Sequence, residues 1–90
     1  MAQLERSAKI MAIYVGLELE SQSGTTRIYS FFKSDGSRYG TLAVDTNTKE
    51  IVLLEAEDER ARDIEFRRAC RAIEKALGQG ELPDKLCFAA

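Results

Sequence analysis

The fold is decided by residues 25–57, TTRIYSFFKSDGSRYGTLAVDTNTKEIVLLEAE, in which three apolar segments alternate with two short polar turns. The first turn, residues 34–37, contains an Asp-Gly pair, which is a strong signal for a β-hairpin. The second turn, residues 46–49, is a polar stretch between two apolar runs. This pattern predicts three consecutive antiparallel strands, over residues 25–33, 38–45 and 50–57.

The segment before this region predicts a further strand over residues 10–19, followed by a turn at residues 21–24. The apolar residues of this segment alternate strictly along the chain: Met11, Ile13, Val15, Leu17 and Leu19. A helix is the alternative here, because Leu4, Ala8, Met11 and Val15 also fall on one helical face. We favour the strand, because a helix would carry apolar residues around most of its circumference.

After residue 57 the apolar residues change to helical spacing and predict an amphipathic helix over residues 58–77. Its apolar stripe consists of Phe66, Ala69, Cys70, Ile73, Ala76 and Leu77. Acidic residues cluster at its start, and Gly78 stands just past its end, as the helix dipole and the preference for a terminal glycine favour. Ile64 lies away from the stripe, which indicates a later helix start, a contact with the C-terminal tail, or a contact with another subunit.

The 90 residues therefore predict one α+β domain spanning 1–90, an antiparallel four-stranded meander followed by one helix on one face of the sheet. The tail, residues 78–90, is too apolar to extend into water, because it contains Leu86, Cys87 and Phe88. We expect it to form a short edge strand or to dock on the domain.

The composition argues against most kinds of catalytic site. The chain has no histidine and two cysteines, so it offers no imidazole for a catalytic dyad and too few ligands for a structural zinc site. We predict no catalytic residues, no cofactor and no metal, and hence no enzyme. No apolar run is long enough to span a membrane, and the N-terminus lacks the pattern of a signal peptide, so we expect a cytoplasmic protein without a membrane partner.

The lengths of the turns predict which residues share a face of the sheet, because directly paired residues point the same way. With an even number of residues in every loop, the helix-covered face carries Ile13, Val15, Leu17, Leu19, Ile28, Phe32, Tyr39, Ala43, Val52, Leu54 and Ala56. The second face carries Tyr14, Tyr29, Phe31, Leu42, Val44, Ile51 and Leu53, with Gly40 opposite Phe31.

One helix covers one face of such a sheet, so the second face needs another cover. The three candidates are a second copy of the chain, the chain's own N-terminal segment and tail, and a different protein. Symmetric homodimers are the commonest assemblies of small domains. We therefore predict a small cytosolic protein-interaction or assembly domain that homodimerises through the seven residues of the second face.

A second hypothesis is binding of single-stranded nucleic acid. Tyr29 and Phe31 could stack on bases, and basic side chains stand beside them: Arg27, Lys33 and Arg38. The stretch RIYSFFK at 27–33, the turn, RYG at 38–40 and EFRR at 65–68 resemble one repeat of the PUR family. This resemblance implies four strands followed by a helix, and a sheet face that binds single strands.

Two features count against the nucleic-acid hypothesis. Glu18, Glu20 and Glu55 are predicted on the same face, and the chain has a net charge of −2. A third hypothesis is a small-molecule-binding domain with its pocket between the sheet and a partner.

Overall fold

The computed structural model of the chain describes residues 14–89. In chain order the elements are β1 (Tyr14–Ser23), β2 (Thr26–Phe32), β3 (Arg38–Asp45), β4 (Ile51–Ala56), a π-helical turn (Ala61–Glu65), helix α1 (Phe66–Gly78) and β5 (Lys85–Ala89). The predicted α+β fold is confirmed: four meander strands precede the helix, and the tail returns as an edge strand. The part of the predicted first strand before Tyr14 lies outside the described residues.

All five strands form one antiparallel sheet in the order β4-β3-β2-β1-β5. The meander accounts for four neighbouring strands, and β5 reaches the free side of β1 by crossing the sheet within the helical connection. Between residues 14 and 89, no helix has the length and apolar character needed to cross a membrane.

The turns after β2 and β3 form where the sequence predicts them, because Asp35 and Asp45 hold their backbones, whereas the turn after β1 lies at Gly24 and Thr25 and not at 21–24. The Asp35 carboxylate accepts hydrogen bonds from the backbone N–H of Ser37 at 2.8 Å and from its hydroxyl at 2.6 Å. These bonds hold the pKa of Asp35 below its ordinary value. Gly36 takes a φ of 93°, which a residue with a side chain rarely adopts. The Asp-Gly pair thus shapes the turn between β2 and β3.

A β-bulge at Glu20 decides which residues of β1 face the helix. Near the turn Ser21 pairs with Ile28, but farther out Leu19 pairs with Tyr29, so the register shifts by one residue. A shift of one residue exchanges the two faces of a strand. Val15, Leu17 and Leu19 therefore lie on the same face of the sheet as Tyr29 and Phe31.

The predicted assignment of faces is wrong at this point. Across the middle of β2, β3 and β4 the predicted grouping holds, since Tyr29 pairs with Leu42, Leu42 pairs with Leu53, and Phe31 lies opposite Gly40. Beyond the bulges in β3 and β4 it fails: Tyr39 and Ala56, which were grouped with Ile28, lie on the side of Phe31. The face that carries Tyr29, Phe31 and Leu42 was, however, predicted to need a partner. In the structure this face also carries the apolar residues of β1, and α1 covers it. Ile28, Ala43 and Val52, which were predicted to lie under the helix, face the other way.

The core lies between this sheet face and α1. Its sheet side is fully or nearly fully buried at Val15, Leu17, Tyr29, Phe31, Leu42 and Val44. The helix contributes mostly small residues, Ala69, Ala72, Ile73 and Ala76. Small helix residues let the helix approach the sheet closely over the two central aromatic rings. Each buried large side chain stabilises the fold by about 1.5–3 kcal/mol.

Helical backbone begins at Glu59, one residue later than predicted, continues through the π-helical turn at Ala61–Glu65 and ends at Gly78. The Asp58 carboxylate accepts the backbone N–H of Ala61 at 2.8 Å and so satisfies one free donor of the first turn. Ile64 is half-buried and lines a small surface concavity with Phe88 of β5. Of the three explanations for Ile64, these observations favour the one that involves the tail, because Ile64 and Phe88 line the same concavity.

Candidate interaction surfaces

Two of the predicted nucleic-acid contacts instead hold the loop after α1 against the sheet. The Tyr29 hydroxyl donates to the carbonyl oxygen of Pro83 at 2.7 Å, and Arg27 donates to that of Leu82 at 2.6 Å. Arg27 also lies 3.7 Å from the carboxylate of Asp84. Burial raises the pKa of Tyr29, so this hydroxyl stays a donor. These bonds place the start of β5 beside β1.

The other predicted nucleic-acid contacts do not form an open platform either. Phe31 is fully buried under α1. Lys33 lies 3.7 Å from the carboxylate of Glu57 and 5.5 Å from the centre of the Tyr39 ring, while Arg38 pairs with Glu20 at 2.6 Å. Both stacking rings are therefore enclosed by the protein, and the basic groups already have acidic neighbours.

The predicted interface residues fall on two different sides of the sheet. Four of them are buried beneath the chain's own helix: Tyr29, Phe31, Leu42 and Val44. Ile51 and Leu53 are half-buried against the same core, whereas Tyr14 lies on the opposite side. The helix thus covers the face that was assigned to a partner, because the bulge at Glu20 turned the apolar side of β1 toward it.

The side of the sheet away from α1, called here the open face, was predicted to be core. Direct pairing places one apolar row across it, Ile28, Ala43 and Val52. A second apolar group, Tyr14 and Phe32, lies toward the other end of the strands. Val52 is 48% exposed, and Leu54, the extra residue of a bulge in β4, is 53% exposed.

A polar row separates these two apolar groups. Following the pairing from β5 to β4, it consists of Lys85, Glu18, Ser30, Thr41 and Glu55. Ser30 and Thr41 are small and buried between larger neighbours. Lys85 lies 3.9 Å from Glu18, and Glu55 makes no ion pair with any residue in the described range. The row is therefore basic at the β5 edge and acidic at the β4 edge.

Glu65 and Cys70, the ionisable groups next to the core, have structural surroundings and not those of a reactive site. Glu65, 2% exposed, accepts from Arg60 at 2.9 Å and from Arg68 at 3.3 Å, so its carboxylate is paired on both oxygens. Burial raises the pKa of the Cys70 thiol to about 11, which keeps it protonated at neutral pH. Residues 14–89 contain no group of side chains suited to holding a metal ion.

Sequence reasoning missed Val52, Leu54, Glu55 and Lys85 as surface residues of one face. An alternating strand is equally compatible with either face, so the sequence carries no local signal that would have identified them. Comparisons of the chain with protein-family models, with curated proteins and with solved structures return no match. The resemblance to a PUR repeat gains no support from them.

Proposed function

We propose that this chain is a small assembly domain that homodimerises by packing its open face against that of a second copy. The observation that carries the proposal is the apolar row Ile28, Ala43 and Val52 on a sheet face that no described element covers. Val52 and Leu54 are about half exposed, although large aliphatic side chains stabilise a protein chiefly when buried.

The charges of the open face are complementary to those of a second copy. β2 is the middle strand, so a two-fold axis along it would set β4 of one copy against β5 of the other. The polar row then brings Glu55 opposite Lys85 at both ends. Ile28 and Phe32, both on β2, meet their own counterparts at the centre. An apolar centre with ion pairs at its margins is the usual anatomy of a protein interface.

The size of the face sets the expected strength of the dimer. Five strands about 4.8 Å apart, each about six residues long, give a face of roughly 500 Å² in projection. A standard interface buries about 800 Å² on each partner. We therefore expect a dimer that dissociates in the micromolar range, and hence a stability that rises with protein concentration.

Sedimentation equilibrium over about 5 to about 500 µM protein tests the proposal. We expect a monomer-dimer equilibrium that Val52→Glu shifts to monomer, because a carboxylate would be buried in the apolar row. Gln79→Glu is the matched control, since it adds the same charge at an exposed site after α1 and leaves the equilibrium unchanged. A chain that remains monomeric throughout, or a dimer that Val52→Glu leaves intact, would refute the proposal.

A charge exchange tests the orientation of the two copies. Glu55→Lys and Lys85→Glu should each weaken the dimer, because each places like charges opposite one another. The double variant should recover most of the lost association, since the attraction is restored with its sign reversed. Failure of the double variant to recover would exclude the two-fold axis along β2.

A further inference from the structure

The outer edge of β5 has backbone groups directed away from the sheet. Leu19 donates its backbone N–H to the carbonyl of Asp84 at 2.7 Å, and hydrogen-bonded pairs alternate along an antiparallel ladder. Leu86 and Phe88 therefore direct their N–H and C=O groups to β1. Lys85, Cys87 and Ala89 direct theirs outward, where no other strand of the described residues lies.

The two edges of the sheet differ in how open they are to pairing. β4, at the opposite edge, is interrupted by the bulge at Leu54, and bulges protect edges from unwanted pairing. β5 is paired with β1 without any shift, from Lys85 to Ala89, so its outer side is regular. A regular edge strand is a template for one more strand.

A groove runs along this edge between β5 and α1. It consists of three concavities in a row, of about 570, 610 and 300 Å³. The middle one shares Ala72, Lys75 and Cys87 with the first and Arg71 and Phe88 with the third. At one end the groove is lined by Ile64 and Phe88 with three arginines around them, Arg67, Arg68 and Arg71. It therefore combines an apolar floor with basic side chains.

The charge of the groove indicates its ligand. Its lining residues include four basic groups, Arg67, Arg68, Arg71 and Lys75, and two acidic ones, Glu74 and Glu81. Asp63 and Glu65 pair with Arg67 and Arg68, whereas Arg71 and Lys75, like Glu74 and Glu81, enter no ion pair within residues 14–89. In a chain of net charge −2, the lining of this groove carries two more basic side chains than acidic ones.

We infer that the outer edge of β5 binds an extended acidic segment of another protein as a sixth strand. The outward N–H and C=O groups of Cys87 would supply main-chain hydrogen bonds, and Arg71 and Lys75 would attract carboxylates on the helix side. A second copy fits this edge less well. A two-fold pairing of β5 with β5 would set both α1 helices on the same side of the joined sheet, with Arg71 and Lys75 of each facing the other.

Fluorescence anisotropy with a short labelled peptide in which glutamate alternates with valine tests this inference. We expect saturable binding that weakens with added salt, and none by a matched peptide in which lysine replaces glutamate. The titration is run on the chain and on its Val52→Glu variant, so that loss of the proposed dimer does not change the result. Binding of single-stranded RNA in place of the peptide would overturn the inference.

Two variants separate the backbone contribution from the charges. Cys87→Pro removes a donor that points outward and leaves the bonds of Leu86 and Phe88 to β1, so the fold persists while peptide binding falls about tenfold or more. Arg71→Glu with Lys75→Glu should lower the affinity at least as much, whereas Arg62→Glu, outside the groove, should not.

Amide hydrogen exchange on the unaltered chain gives a result that does not depend on any variant folding. Added peptide should slow exchange at Lys85, Cys87 and Ala89, whose N–H groups point outward, more than at Leu86 and Phe88. Unchanged exchange at those three amides under saturating peptide would refute the inference, as would a Cys87→Pro variant that binds like the native chain.

Discussion

Replacing Gly40 with alanine should destabilise the domain severely, because the sheet leaves no room for a side chain at this position. A Cβ on Gly40 would lie 2.9 Å from the carbonyl carbon of Glu55 and 3.0 Å from the Cα of Ala56, and closer still to the carbonyl oxygen of Glu55. Non-bonded carbon atoms are normally about 3.5–4.0 Å apart. All three obstructing atoms belong to the backbone of β4, so no side-chain rotation relieves the clash.

To relieve the clash, β4 would have to move away from β3 by about 1 Å. This movement would weaken the hydrogen bonds between the two strands, next to the 2.8 Å bond from the Glu57 N–H to the Tyr39 carbonyl. Overpacking costs about 1–3 kcal/mol, and each weakened ladder bond adds about 1 kcal/mol. We therefore expect Gly40→Ala to lower the free energy of unfolding by about 3 kcal/mol. For a domain of this size that corresponds to a loss of about 12–24 °C in Tm.

Gly78→Ala is the matched control, since a Cβ at the last residue of α1 meets nothing within 4 Å. There alanine should stabilise the helix by about 0.5–1 kcal/mol. Urea unfolding followed by circular dichroism, at one protein concentration for all variants, measures both changes. The reasoning would be refuted if Gly40→Ala stayed within about 0.5 kcal/mol of the native chain, or if the two substitutions had the same sign.

Three further predictions concern ionisable groups. Glu65→Ala should cost about 1.5–3 kcal/mol of unfolding free energy, because it removes the buried acceptor of the hydrogen bonds from Arg60 and Arg68. Asp63→Ala, at an exposed i,i+4 pair, should cost less than about 0.5 kcal/mol, and similar losses in urea unfolding would contradict this. Burial raises the pKa of Tyr29 above its value in the unfolded chain. The protonated hydroxyl therefore contributes fully to stability below about pH 10, and this contribution is lost as the pH rises through the raised pKa. If the free energy of unfolding of Tyr29→Phe fell equally over this pH range, the assignment to Tyr29 would be disproved. At neutral pH a thiol reagent should modify exposed Cys87 rapidly and Cys70, whose pKa is about 11, slowly, and two equally fast thiols would count against the burial of Cys70.

The sequence predicts the elements well because each has a local cause. The Asp-Gly turn, the period of two in the strands and the helical spacing after residue 57 all arise from short-range preferences, and the structure forms the corresponding elements. The apolar tail also becomes a strand, since Leu86 and Phe88 are buried only if they return to the core.

The assignment of faces failed because it depends on one residue that no short-range pattern marks. The turn between β1 and β2 does have an even number of residues, Gly24 and Thr25, as the prediction assumed. The extra residue lies farther along, at Glu20, where the bulge aligns Leu19 with Tyr29. Its benefit is a tertiary one, because it joins the apolar side of β1 to the apolar side that α1 covers.

The position of β5 affects how the chain can fold as it is synthesised. β1 is among the first of the described strands to leave the ribosome, yet its outer neighbour follows about 60 residues later, after the other strands and the helix. Until then the outer edge of β1 is open to pairing with other nascent chains. Completing this sheet therefore covers the long edge of β1 and leaves in its place the shorter edge of β5.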